Sequence, residues 1–225
     1  MTKRISRQLN SFKYKGEPIK ITIGTLVLTA FCVLLLIVAT FTQISFSHLY
    51  LPINTISLLN QGVSSSDFMT YFMKDYRYIP QIPIVFFIIA LLGRKFGILA
   101  VSLYIILGMF FPIFALGGGV SYLFEYGFGY ILAFIPAIFF SGTLLKIKTD
   151  FLRIILLSTL GVLSIHILGV LYMLFVATLR HASMDLVTSW IFSQSTNQIL
   201  YDIFFSILAI YLGRISRKIL WIIMC

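Results

Sequence analysis

An ionisable side chain inside an apolar segment is costly in a bilayer and therefore marks a candidate functional residue. Asp202 is such a residue, because it lies in the run 198–213, which holds nine Leu, Ile, Val or Phe residues. Those nine favour insertion by roughly 3 to 5 kcal/mol, and a central Asp opposes it by about 2.5 to 3.5 kcal/mol. We expect a buried functional carboxylate. The alternative is an acid at a helix start, near water and favoured by the helix dipole.

Two other titratable residues are weaker candidates. Glu125 lies in a glycine-containing loop, where a solvated acid is the ordinary interpretation. His166 shares a helix face with Gly169 and Tyr172 by three-residue spacing. We expect a neutral histidine packed among helices, and contact with a ligand is the alternative.

Three consecutive glycines, Gly117, Gly118 and Gly119, follow the apolar stretch "PIFAL". Glycine adopts backbone angles closed to other residues and lets a ligand approach main-chain N–H groups. A flexible turn would need no apolar approach. We therefore favour a packed loop that lines a cavity.

Motifs for catalysis are missing from the sequence. It contains no G-x-x-x-x-G-K-[ST], H-E-x-x-H or G-x-S-x-G motif, and the apolar segments hold no close pair of acids or histidines. Asp202 thus has no obvious partner, and two isolated cysteines suggest no metal site. We expect no catalytic residue, no metal and no cofactor; an enzyme using Glu125 and Asp202 is the alternative.

The composition indicates the element type that must position these residues. Hydrophobic residues make up 60% of the 225 and charged residues 11%, which is typical of a multi-pass protein of the cell membrane. Six runs are long and apolar enough for membrane helices. The predicted all-α spans are 21–41, 79–93, 96–112, 128–145, 154–176 and 198–213.

The basic residues predict the orientation of these spans, because Lys and Arg concentrate on cytoplasmic flanks. If both termini are cytoplasmic, fourteen of the 17 Lys and Arg residues lie on the cytoplasmic side. The other three are Lys74, Arg77 and Arg180. We predict a basic segment 1–20, a six-helix domain 21–213 and a tail 214–225. The net charge of +10 then requires no nucleic acid, and lipid headgroups are the expected partner of the basic segment.

Three long loops, 43–78, 112–127 and 177–197, fall on the outer side in this topology. A site built from loops should therefore open outward. The first loop contains aromatic residues at helical spacing behind a possible cap, which predicts an amphipathic helix at the interface. The residues of this pattern are Ser66, Phe68, Tyr71, Phe72 and Tyr76.

The central stretch 91–134 resembles the core of the BioY family, the biotin-specific substrate-binding (S) components of energy-coupling-factor (ECF) transporters. Its family-like features are a Leu-Gly-x-[RK]-x-Gly hairpin, a Leu-Tyr-x-x-x-Gly helix, a Pro-x-Phe-x-x-Gly-Gly loop and a Gly-Tyr helix start. The matching residues are Leu92, Gly93, Lys95, Gly97, Leu103, Tyr104, Gly108, Pro112, Phe114, Gly117, Gly118, Gly129 and Tyr130.

Weaker similarity extends on both sides of this core. "IPQIP" at 79–83 resembles a Pro-rich entry to the second helix, and "LGVLYML" at 168–174 has Tyr172 where the family has Trp. Family members also carry an Asp followed three residues later by Lys, both thought to face biotin. Asp202 matches the acid, but Phe205 occupies the lysine position.

The resemblance implies a non-enzymatic component that captures biotin from outside, for import by a separate coupling transmembrane subunit and ATPase subunits. Asp202 would accept the ureido N–H groups, and Gln81 or Asn197 would replace the missing lysine. The glycine loop would close over the ligand between aromatic walls. The predicted ligand-binding residues are Asp202, Gly117, Gly118, Gly119, Phe114, Tyr104, Tyr130, Tyr172, Gln81, Asn197 and Phe205. A different small ligand is the alternative that Phe205 raises.

Overall fold

The computed structural model describes residues 22–49, 73–145, 150–192, 195 and 198–224. Helices dominate this part of the chain, and two short strands lie between the first and second helices. The elements are α1 Ile23–Phe41, β1 Ile44–Leu49, β2 Met73–Tyr78, α2 Gln81–Phe110, a 3-10 turn Val120–Phe124, α3 Phe128–Leu132, α4 Phe134–Leu144, α5 Phe151–Leu179, α6 Met184–Ile191 and α7 Gln198–Met224.

The helices agree with the predicted all-α membrane fold. Four of them, α1, α2, α5 and α7, are long and apolar enough to cross a bilayer, and α3 with α4 forms a shorter apolar segment. The spans predicted at 79–93 and 96–112 are the two halves of α2. The span predicted at 128–145 is divided, because Pro136 cannot donate a hydrogen bond to the Leu132 carbonyl four residues earlier.

α2 is a helical hairpin rather than one straight rod. Gly93 has φ 77° and ψ 178°, angles outside the helical region that glycine adopts without steric cost. In a continuous helix, residues eight apart would be separated by about 12 Å. Here a Cβ on Gly97 would lie 4.0 Å from the Cα of Ile89. The chain therefore folds back at Gly93, between the two spans predicted at 79–93 and 96–112.

The segment 43–78, predicted to be an outer loop, differs from its prediction. β1 and β2 form an antiparallel pair in which Ile44 lies opposite Tyr78 and Leu49 opposite Met73. The helix predicted through Tyr76 is therefore wrong at its end; its other residues lie outside the described part of the chain. Apolar and polar residues alternate in "ISFSHL", which is the two-residue period of a strand.

The packing places the polar candidates at one end of the bundle. α2 packs against α1, α4 and α7, and α5 packs against α3, α4 and α7. Leu, Ile and Phe side chains remain exposed on α1, α5 and α7, as expected for helices that face lipid. The end of α1 and the starts of α2 and α7 meet on the side predicted to be outer. The candidate site is built there.

Candidate ligand-binding site

Asp202 lies in the second turn of α7 and is fully buried. Its Oδ1 accepts a hydrogen bond of 2.8 Å from the Tyr78 hydroxyl, and its Oδ2 is 3.0 Å from Nε2 of His166. Nδ1 of His166 is 3.1 Å from the Ser195 hydroxyl, which is 2.8 Å from the Tyr130 hydroxyl. These five side chains, here called the Asp202 cluster, form a continuous chain of hydrogen bonds.

Small residues bring α3 close enough to α5 to complete this chain. A Cβ on Gly169 would lie 2.5 Å from Cδ1 of Tyr130, and a Cβ on Gly129 would lie 2.3 Å from Cβ of Tyr172. Glycine at both positions therefore lets the two helices touch. The helix face predicted for His166, Gly169 and Tyr172 is the face that meets α3.

His166 is the partner of Asp202, so the expectation that Asp202 has no obvious partner was wrong. His166 and Asp202 are 3% and 0% exposed and lie within ion-pair distance. They are 36 residues apart in the chain, so local spacing could not connect them. His166 is packed among helices as predicted, and its contact is a carboxylate rather than an apolar surface.

Phe205 lies one helical turn after Asp202, at the position where the family has lysine. Its ring stacks on the ring of Tyr78, with centroids 5.2 Å apart and an interplanar angle of 29°. It therefore packs against a residue that donates to Asp202. At this position the chain therefore has an aromatic contact with Tyr78, where the family lysine would carry a positive charge.

The glycine loop is a fixed turn. Gly117 and Gly119 have φ values of 117° and 92°, which favour glycine. Phe114 and Gly117 exchange two backbone hydrogen bonds of 2.8 and 3.0 Å, and the Gly119 N–H donates to the Gly108 carbonyl at 2.9 Å. The N–H groups of Gly117 and Gly119 are thus used within the protein. A ligand that keeps this turn would meet their Cα atoms rather than these two donors.

Aromatic rings pack directly beneath the loop. Phe114 is fully buried, with its ring centroid 5.4 Å from that of Tyr104, 4.6 Å from Tyr122 and 6.1 Å from Phe128. The Phe128 ring in turn lies 6.0 Å from Tyr172. These five residues are called the aromatic cluster. Burial raises the pKa of Tyr122, so its hydroxyl remains neutral at physiological pH.

A second polar group, the Gln81 network, connects the end of α1 with both halves of α2. The Gln81 amide nitrogen donates to the Thr40 hydroxyl at 3.0 Å and to the Tyr104 hydroxyl at 2.7 Å. The Thr40 and Tyr104 oxygens are themselves 2.8 Å apart. Both amide hydrogens of Gln81 are therefore engaged. Replacing the family lysine would require Gln81 to give up one of these bonds.

The structure divides the predicted site residues into two neighbouring groups. Tyr130 and Phe205 lie around Asp202. Phe114, Tyr104 and Tyr172 belong to the aromatic cluster beneath the glycines, and Gln81 donates to Tyr104. Asn197 lies outside the described residues. Tyr78 and Ser195 were not predicted. The available signals were the position of Tyr78 just before "IPQIP" and the polar run "SQSTNQ" that contains Ser195.

Glu125 lies apart from this arrangement. Its carboxylate is 3.3 Å from the Arg180 guanidinium, and the two side chains are 37% and 42% exposed. It is therefore a partly solvated acid in a surface ion pair, in agreement with the ordinary interpretation of the sequence.

Comparison with known proteins identifies the family. A protein-family model described as the BioY family matches residues 78–220, more than half of the chain. The chain belongs to the BioY family. A crystal structure titled as the S-component for biotin from an ECF-type ABC transporter is similar to this BioY-family chain, with a TM-score of 0.60 at 19% identity, covering 88% of this chain and 95% of that one. At 19% identity, this similarity shows that the two chains share a fold. No curated protein matches the sequence.

Membership in the BioY family confirms the resemblance seen in 91–134. Family membership, together with the shared fold, indicates a multi-pass membrane protein that binds a transport substrate and is not an enzyme. The alternative of an enzyme using Glu125 and Asp202 is therefore set aside. The match begins at Tyr78, which means that β1 and nearly all of β2 precede it. Asp202, His166 and Ser195 all lie within the matched region.

Proposed function

We propose that this chain is the substrate-binding component of a vitamin uptake transporter and that it captures biotin from the outer side of the membrane. The observation that carries the proposal is a buried carboxylate, Asp202, beside a compact aromatic cluster at one end of a BioY-family fold. Small-molecule sites are mostly apolar with a few placed polar groups, and this end of the bundle has that character.

The ureido head of biotin suits the Asp202 cluster. It presents two N–H donors and one carbonyl and has no charge. Asp202 Oδ1 already accepts an O–H from Tyr78, so a ligand N–H can take the same position. Such a charge-assisted bond is strong in a site without water.

The thiophane and valeryl portions of biotin suit the aromatic cluster. α3 links the two regions, because Phe128 belongs to the aromatic cluster and Tyr130, two residues later, belongs to the Asp202 cluster. Tyr172 contacts α3 from α5 at the same level. A ligand lying along α3 would reach both regions.

Import would require partners. The sequence contains no P-loop, so the energy would come from separate ATPase subunits acting through a coupling transmembrane subunit, as the BioY family implies. Lipid headgroups would contact the basic cytoplasmic flanks. Nucleic acid is not an expected partner.

Phe205 favours one second candidate, namely the same kind of protein with a different small ligand. A lysine at this position would place a cation near Asp202, whereas Phe205 places an aromatic ring against Tyr78. That change could alter which polar head group the site accepts.

Equilibrium binding of labelled biotin to the purified protein in detergent tests the proposal, alongside Asp202→Asn and Phe205→Lys. We expect tight binding by the parent, weakened by about tenfold or more in Asp202→Asn, because the amide loses the charge that strengthens the bond. Absence of binding by the parent together with binding by Phe205→Lys would show that the ligand has changed.

A further inference from the structure

His166 holds the Asp202 carboxylate from the interior of the helix bundle. We propose that His166 is a charged imidazolium that serves as the cationic partner of Asp202 and positions it for the ligand. As a positioning residue for ligand capture, this role rests on the proposed function. The charge state itself does not depend on the identity of the ligand.

The contacts divide the two oxygens of Asp202 between two parts of the fold. Oδ2 faces His166 on α5 at 3.0 Å, within the packed bundle. Oδ1 faces Tyr78 at 2.8 Å, and Tyr78 is the last residue of the outer strand β2. A ligand N–H can therefore replace the Tyr78 hydroxyl on Oδ1 while His166 keeps Oδ2 in place.

The positions of its two contacts suit an ionised Asp202. The Tyr78 hydroxyl donates to Oδ1, and a protonated Nε2 of His166 would donate to Oδ2 at 3.0 Å. An ionised carboxylate accepts on both oxygens at once. Such a charge, wholly removed from water, requires a nearby cation.

His166 is the basic residue placed to supply that cation. Within the described ranges it is the one Lys, Arg or His side chain at ion-pair distance from Asp202. An imidazolium has two N–H donors, and both find acceptors here: Asp202 Oδ2 through Nε2, and the Ser195 hydroxyl through Nδ1. The pair as a whole is then neutral, which suits an uncharged polar head group.

A rescue experiment tests this charge. Phe205 lies one turn after Asp202 and stacks on Tyr78, so a lysine there would place its ammonium beside the same carboxylate. We expect His166→Gln to weaken biotin binding by about tenfold or more, and the added Phe205→Lys to restore it to within about threefold. His166→Gln with Phe205→Met is the matched control, since it removes the ring without adding charge.

Each outcome of the rescue has one meaning. Restoration by lysine but not by methionine supports the cationic role. Unchanged binding in His166→Gln, or equal behaviour of the lysine and methionine variants, overturns it.

The charge state can also be measured without biotin. Nitrogen-15 NMR of the histidine-labelled parent distinguishes an imidazolium, protonated on both nitrogens, from a neutral ring. His48→Gln and His181→Gln, which remove the other two histidines, assign the His166 signal. Two protonated nitrogens support the proposal even if the parent does not bind biotin, and a neutral ring overturns it even if biotin binds.

Discussion

The Asp202 cluster and the glycine loop are neighbouring parts of one candidate site, but they are stabilised differently. Side chains from β2, α3, α5 and α7 and the segment before α7 meet in the Asp202 cluster, where a chain of hydrogen bonds holds them. The glycine loop is one continuous stretch, and close backbone contact sets its shape. The Asp202 cluster should lose stability when one member of a bonded pair is removed. The glycine loop should lose stability when a Cβ atom is added to one of its glycines.

This difference also predicts two separate roles within the candidate site. Hydrogen-bonding groups select ligands by their donors and charges, whereas a rigid loop over packed rings selects them by shape. A substitution in the Asp202 cluster should therefore change which head group binds. A substitution in the loop should change whether the protein folds and binds at all.

Asp202→Ala should produce the largest loss of stability, because it leaves buried His166 without its partner. Breaking one member of a buried ion pair costs about 3 to 5 kcal/mol. Thermal unfolding in detergent measures this loss for Asp202→Ala, His166→Ala and the double variant. We expect the double variant to lose clearly less than the sum of the two single losses. Strict additivity would contradict an interaction between the two residues.

Gly118→Ala should come next, with a loss of about 3 kcal/mol. The added Cβ would lie 2.1 Å from the carbonyl oxygen of Phe111, a backbone atom that cannot rotate away. Unfolding midpoint and folded yield measure the effect. Gly127→Ala is the matched control, because its nearest neighbour would be the Tyr122 hydroxyl at 3.9 Å. Equal midpoints for the two variants would show that the loop is not tightly packed.

Tyr104→Phe should have an intermediate effect, because it removes hydrogen bonds to Thr40 and Gln81 while keeping the ring against Phe114. Loss of a neutral buried hydrogen-bonding group costs about 1 to 3 kcal/mol. Biotin affinity should change less than it does in Asp202→Asn. A larger loss of affinity than in Asp202→Asn would mean that the Gln81 network, rather than the Asp202 cluster, recognises the polar head group.

Local sequence patterns predicted the parts of this molecule that depend on neighbours in the chain. The apolar runs became helices, and the break between the spans 79–93 and 96–112 and the glycine loop were located, because hydropathy and glycine conformation act over a few residues. The buried position of Asp202 followed from the same local hydropathy.

Such local patterns could not predict contacts between residues that are far apart in the chain. The β1–β2 hairpin was missed because each strand satisfies its hydrogen bonds through the other, with Ile44 opposite Tyr78. His166 was weighed alone because Asp202 lies 36 residues further along the chain. Ser195 became part of the site only because it lies between His166 and Tyr130.

Arg180→Gln should have the smallest effect and tests the boundary of the site. Its ion pair with Glu125 is partly exposed, and such pairs contribute about 0 to 1 kcal/mol. The unfolding midpoint and biotin affinity should therefore stay close to those of the parent, and Glu125→Gln should behave in the same way. A tenfold loss of affinity in either variant would place the Glu125 pair in the ligand site and extend charge recognition to the glycine-loop region.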